Sequence, residues 1–195
     1  MPEGTFDMAK SGTVGQPGAA YTFVTGDAQV RRHTFAVIVD NEPGVLARVI
    51  GLFSGRGYNI ESLTVSTVTE DESVSRINIV TTGTEMIIEQ IKAQLDRLVP
   101  VHNVHDLTQE GPHVEKELAL VKVRAKDHSR RESLRIADVF DAKVADTTLE
   151  SFVFQIEGTP DKVDSFIELM RALGDTEVAR SGVVAIARGA SIVEV

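Results

Sequence analysis

Cysteine is absent from the 195 residues, so the chain forms no disulfides and offers no thiolate for catalysis or metal binding. That suits a reducing compartment, and a cytoplasmic location is expected. Tryptophan is absent as well, and aromatics make up only 5%, which leaves few platforms for stacking bases or sugars. Basic residues are in deficit: 20 Lys and Arg against 29 Asp and Glu give a formal net charge of -9, which opposes a nucleic-acid footprint. No apolar run is long enough to span a membrane. HExxH, GxSxG and P-loop patterns are missing. Gly51, Gly55 and Gly57 lack the GxGxxG spacing, and they end a predicted helix instead of opening one. Catalytic and nucleotide-binding readings therefore find no local support.

What is present is ordinary for a folded protein, with 42% hydrophobic and 25% charged residues. The first stretch, 1–32, is rich in Gly, Thr, Ala and Ser and shows no sustained periodicity. It reads as a flexible extension. It lacks the apolar core of a secretory signal, and its acidic residues argue against a transit peptide. A short strand over Ala20–Val24 is expected within it.

From Thr34 the elements alternate. Strands are predicted over Thr34–Asp40, Tyr58–Thr69, Ser75–Val80 and Val99–Leu107, and helices over Val45–Arg56 and Glu85–Arg97, the second capped by Thr84. Val45, Leu46, Val49, Ile50 and Phe53 recur on one helix face. The order is βαββαβ. After the break at Gly111-Pro112 the same order returns: a strand over Glu117–Ala125, a helix over Arg130–Phe140, strands over Lys143–Thr147 and Ser151–Glu157, a helix over Asp161–Leu173, then strands over Thr176–Arg180 and Val183–Ala187. Ser129 and Glu132 have the spacing of a capping box. Thr159-Pro160 is a cap followed by proline at the first helical position. The expected architecture is α+β: an extension over 1–32, then two tandem ferredoxin-like units over 33–110 and 111–195. In such a unit the helices cover one sheet face, so the other face and the edges need cover from a second unit or a second chain.

The stretch Val39–Arg48 carries the leading functional idea. It reads as a strand end, a tight turn and the first turn of a helix. Pro43 fixes one backbone angle, and Gly44 has no side chain to block a ligand. The helix start presents unpaired N–H groups, which suit a carboxylate. The bland alternative is a well-made connection with Asn41 as its cap. Asn59 lies just past the same helix. If the following strand is an edge, Asn59 can face the Asn41 turn of another copy across a two-fold axis, and two neutral amides suit a zwitterion. His102 and His105, three apart in a predicted strand, point to opposite faces and read as surface or interface histidines. The topology also occurs in RNA-binding domains, but the central strand Arg76–Val80 offers no aromatic residue.

The run NEPGVLARVIGLFSGRGYNIESLTV (41–65) closely resembles the regulatory small subunit of acetolactate (acetohydroxyacid) synthase. Within it RGYNIESL (56–63) is the most specific part. PHVEKELALVKV (112–123) and EVARSGVV (177–184) resemble the same family, and the likeness covers about His33 to Gly189. The resemblance implies that the first unit is an ACT domain, pairing with a second copy and binding a regulatory amino acid between them. It implies a non-catalytic chain that binds a large catalytic subunit, raises its activity and confers feedback inhibition by valine or another branched-chain amino acid. No cofactor is implied for this chain. The catalytic partner would hold thiamin diphosphate, magnesium and FAD. Effector residues of the family fall on Asn41, Gly44, Ala47, Asn59 and Ile60, with Val45 and Leu46 supplying backbone groups. A stand-alone ACT-type amino-acid sensor is the alternative, and a catalytic protein stands behind both.

Overall fold

The computed structural model describes residues 29–190 and 192–193. Strand β1 (Arg31–Asp40), helix α1 (Val45–Arg56), strands β2 (Ser62–Thr67) and β3 (Val74–Gly83), helix α2 (Glu85–Leu95) and strand β4 (Val101–Asp106) form the first unit. Its antiparallel sheet has the order β2-β3-β1-β4. Alternate residues of the two central strands, Phe35, Val37 and Val39 with Ile77 and Ile79, face the helices. There they meet Val45, Val49 and Phe53 of α1 and Ile88, Ile91 and Leu95 of α2. Positions three and four apart on each helix thus form the buried stripe, and each large side chain so buried contributes about 1.5–3 kcal/mol. α1 stops where Gly57 turns left-handed, φ 70°, and its N–H returns to Phe53 and Ser54.

A short helix α3 (Leu107–Glu110) leads into the second unit: β5 (His113–Arg124), α4 (Asp127–Val139), β6 (Lys143–Thr147), β7 (Ser151–Gly158), α5 (Pro160–Leu173), β8 (Asp175–Arg180) and β9 (Val184–Ala187). Its sheet runs β6-β7-β5-β8, with β9 pairing the first part of β5. Phe152, Phe154 and Ile156 of β7 and Val121 and Val123 of β5 pack on Val163, Phe166 and Met170 of α5. The α+β class and the repeated βαββαβ order stand as expected from sequence.

The cover needed by the first sheet comes from the second unit. β5 and β9 form a ribbon, His113 opposite Ala187 through Lys116 opposite Val184, which lies over the face turned from the helices. Ala36, Leu107, Ala185 and Ala187 make a small apolar cluster there. Around it Arg32 reaches Glu115 at 2.7 Å, the Thr34 hydroxyl bonds the same carboxylate, and an Arg76 Nη donates to the Ala185 carbonyl at 2.8 Å. The Val183 amide donates to Ser62 Oγ at 2.7 Å, and Thr64 Oγ1 donates to the Val183 carbonyl at 3.0 Å. With both faces covered, β1 is buried without a break from His33 to Val39.

Several local expectations shift. Tyr58–Glu61 stays outside β2, which begins at Ser62. β5 starts at His113, because β9 supplies a partner for its first residues. The Ser129–Glu132 capping box does not form: α4 begins at Asp127 with Lys126 extended at its cap, and Ser129 lies inside the helix. By contrast, Thr159 does cap α5, its hydroxyl accepting from the Lys162 amide at 3.4 Å, with Pro160 at the first helical position. Thr84 occupies the cap of α2 without a side-chain bond. Arg31 and Arg32 pair with Gly83 and Thr82, so the first strand opens before His33. The strand expected over Ala20–Val24 lies outside the described residues.

Candidate functional site

The turn between β1 and α1 is built by two residues. The Val45 amide donates to the Glu42 carbonyl at 3.3 Å, and Gly44 has φ 89° and ψ -10°. That is a type II turn, with Pro43 fixing the second position and glycine supplying the left-handed third. Gly44 is also the N-cap of α1: its carbonyl accepts from the Arg48 amide at 3.1 Å. No side chain caps this end. Among the described residues the amides of Gly44, Leu46 and Ala47 have no acceptor. All three residues are exposed, and a Cβ built on Gly44 meets nothing within 4 Å. The result is an open helix start with free donors and no acidic residue in its first turn, Glu42 standing before it. An anionic carboxylate fits it.

The residues singled out from sequence divide their work. Val45 has its amide in the turn and its side chain in the core, 4% exposed, so of the two expected to supply backbone groups only Leu46 keeps an open amide, beside those of Gly44 and Ala47. Asn41 is not the cap of α1. Its backbone amide donates to the Ser73 carbonyl at 2.8 Å and its side-chain amide to the Glu72 carbonyl at 2.7 Å. It bolts the turn to the β2–β3 hairpin and leaves its own side-chain carbonyl as an acceptor. The hairpin tip is itself stiffened: hydrogen bonds from the hydroxyls of Thr69 and Ser73 and from the Ser73 amide hold the Asp71 carboxyl down at about 2.

Asn59 is exposed, with no side-chain partner among the described residues, while its carbonyl accepts from Thr81 Oγ1 at 2.6 Å. Ile60 is half-buried against the first core. Asn41 and Asn59 flank opposite ends of α1, whose 12 residues span about 18 Å. One chain therefore does not bring the two amides together. β2 lies at the open edge of its sheet, with Val65 44% exposed.

Among the described residues no group of three or more His, Asp or Glu side chains is placed to hold an ion. His102 pairs with Asp40 at 2.7 Å, and His105 with Glu110 at 3.0 Å, both near the surface. His33 differs from these two. It is 5% exposed, and its Nδ1 lies 2.8 Å from Asp106, whose other oxygen caps α3 through the amides of Thr108 and Gln109. The clamp from Ser62 and Thr64 to Val183 escaped the sequence reading too. Its partners stand about 120 residues apart, and no local pattern announces them.

Comparison with known proteins gives the family. Residues 35–103 match the family described as AHAS small subunit-like ACT domain, and residues 116–189 match the family described as small subunit of acetolactate synthase. The acetolactate synthase isozyme 3 small subunit of Salmonella typhimurium is 47% identical over 162 residues, covering 83% of this chain and 98% of the relative. The probable acetolactate synthase small subunit of Archaeoglobus fulgidus is 46% identical over 158 residues, covering 81% and 98%. Among solved structures, the acetolactate synthase small subunit of Thermotoga maritima matches with a TM-score of 0.72 at 37% identity, covering 83% of this chain and 99% of that one. The two family matches together take in most of the chain, the relatives are matched along nearly their whole length, and the chain belongs to the acetolactate synthase small-subunit family.

Proposed function

We propose that the chain is a non-catalytic regulatory subunit that binds and activates the thiamin-diphosphate-dependent catalytic subunit of acetolactate synthase and makes it sensitive to valine. The observation that carries this is the uncapped start of α1 at Gly44, in a chain of this family. The valine carboxylate is received by the amides of Gly44, Leu46 and Ala47. The Asn41 side-chain carbonyl takes the ammonium, and the isopropyl group packs against Leu46 and Ile60. Asn59 closes the site from a second copy, because within one chain it stands a helix length away. Pairing of β2 edges across a two-fold axis gives that arrangement and covers Val65.

A ligand this small binds in the micromolar-to-millimolar range, roughly -4 to -8 kcal/mol, which suits a metabolite sensor. Inhibition then requires valine to favour one state of the holoenzyme by about 1–3 kcal/mol. Magnesium and FAD, like thiamin diphosphate, are assigned to the catalytic subunit.

Gly44→Asp tests the site. Its carboxylate takes the place of the ligand's and repels it. Valine inhibition of the reconstituted enzyme should disappear while activation by the variant is largely kept. A Gly44→Asp subunit that still responds at the wild-type valine concentration would place the effector elsewhere.

A further inference from the structure

α1 has a second exposed flank with no assigned role. Arg48, Gly51, Leu52, Gly55 and Arg56 of α1 meet Gln94, Arg97 and Leu98 around a groove of about 480 Å³. Its chemistry is unusual for this molecule. Arg32, Arg76, Arg124, Arg135 and Arg180 all hold a carboxylate or a carbonyl. The side chains of Arg48, Arg56 and Arg97, like those of Arg131 and Arg171, have no hydrogen bond or ion pair among the described residues. In a chain of net charge -9, three of these arginines line one groove. Its floor is apolar, from Leu52 and Leu98. Its wall is low, because a Cβ on Gly51 or Gly55 would meet nothing within 4 Å.

The groove is separate from the edge expected to pair with a second copy. At 100° per residue, Leu46 and Ile50 are turned about 200° from Arg48 and Leu52, so the two stripes occupy opposite flanks of the helix. The groove nevertheless shares α1 with the effector turn, one turn from Gly44: the Arg48 amide bonds the Gly44 carbonyl.

We propose that this groove docks an acidic segment of the catalytic subunit, its carboxylates taken by Arg48, Arg56 and Arg97 and its apolar contacts resting on Leu52 and Leu98. The inference rests on the reading that the chain works with a catalytic subunit. Guanidinium suits the task because its planar fork holds a carboxylate through two parallel bonds, and arginine is enriched among residues that dominate interfaces. Charge complementarity selects the occupant. A second copy of this chain, itself acidic, would have to bring carboxylates to the same groove, and then the chain alone would self-associate through it.

The test uses the full chain titrated onto the immobilised catalytic subunit of the same organism, at low and at high salt, with valine calorimetry on the chain alone in parallel. The paired substitution Arg56→Glu and Arg97→Glu should weaken association by about thirtyfold or more and flatten its salt dependence, with valine binding unchanged. Gly51→Leu fills the groove without altering charge and should weaken association as well. Wild-type affinity and salt slope in both variants would overturn the groove assignment while leaving the effector site standing. Loss of self-association in the charge variants, with wild-type binding to the catalytic subunit, would reassign the groove to a second copy. A wild-type chain that binds no catalytic subunit at all would overturn this inference and the proposed function together.

Discussion

At the scale of single residues, Gly44 and Asn41 show how much of the site is backbone. Gly44 contributes a left-handed conformation and an amide, and nothing fills the space where its Cβ would stand. Gly44→Ala therefore separates strain from charge. It keeps the amide and adds no repulsion, but forces an ordinary side chain to φ 89°. The expected cost is about 1–2 kcal/mol of stability, read as a drop in the denaturation midpoint. The valine response should survive, weakened far less than in Gly44→Asp; equal loss in both variants would mean that the turn's shape, not anion exclusion, explains the aspartate result. Gly44 was legible as a turn residue, because proline followed by glycine suits the second and third positions of a type II turn. Asn41 was legible as polar and adjacent but not in its role. Its partner, the Glu72 carbonyl, belongs to a hairpin tip whose approach is decided by the sheet, not by neighbouring residues.

Among the elements, local signals succeeded where packing agreed with them. α1 spans the residues expected, because its apolar stripe fits the core and Gly57 ends it. α4 shows the opposite outcome. Ser129 and Glu132 have the right spacing for a cap, yet the Arg130 guanidinium lies 3.9 Å over the Phe152 ring and bonds Thr147 Oγ1 at 3.2 Å. Those tertiary contacts fix the first turn of α4 one turn earlier, and the local cap gives way. Gly174, between α5 and β8, exposes a constraint that no sequence pattern announces. A Cβ there would come within 2.0 Å of the Arg124 carbonyl oxygen in β5. Its backbone is extended, so the constraint is steric alone. Gly174→Ala must move β5 from α5, and a destabilisation of about 1–3 kcal/mol is expected by urea denaturation. An unchanged midpoint would show that the α5–β8 junction relaxes freely.

Across the whole molecule, the two units are held by polar contacts as much as by the small cluster around Ala36 and Leu107. Glu115 is the centre of that seam. It lies on the β5–β9 ribbon and takes bonds from Thr34 and Arg32 of β1, while His113 stands 3.2 Å away. Burial, the largest single influence, pushes its carboxyl upward. The Thr34 hydroxyl and then the Arg32 guanidinium, aided by the charge of His113, pull harder, and the net displacement is downward from 4.5. A carboxyl lowered in the folded state adds stability that is fully present above its unfolded value and is lost as pH falls through the folded one. The seam should therefore hold at neutral pH and loosen below about 4.5. Glu115→Gln removes the charge and keeps the shape, and at pH 7 it should cost about 1–3 kcal/mol. The difference between wild type and variant should shrink as pH falls below 4.5 and the wild-type carboxyl takes up its proton. Denaturation of both proteins across that range measures it, and a difference that stays constant with pH would mean that shape, not charge, joins the ribbon to the first sheet. If the seam also carries the valine signal from the ACT unit to the second unit, Glu115→Gln should bind valine normally by calorimetry yet inhibit the reconstituted enzyme less, because a ligand transmits only through contacts that differ between the two states it selects.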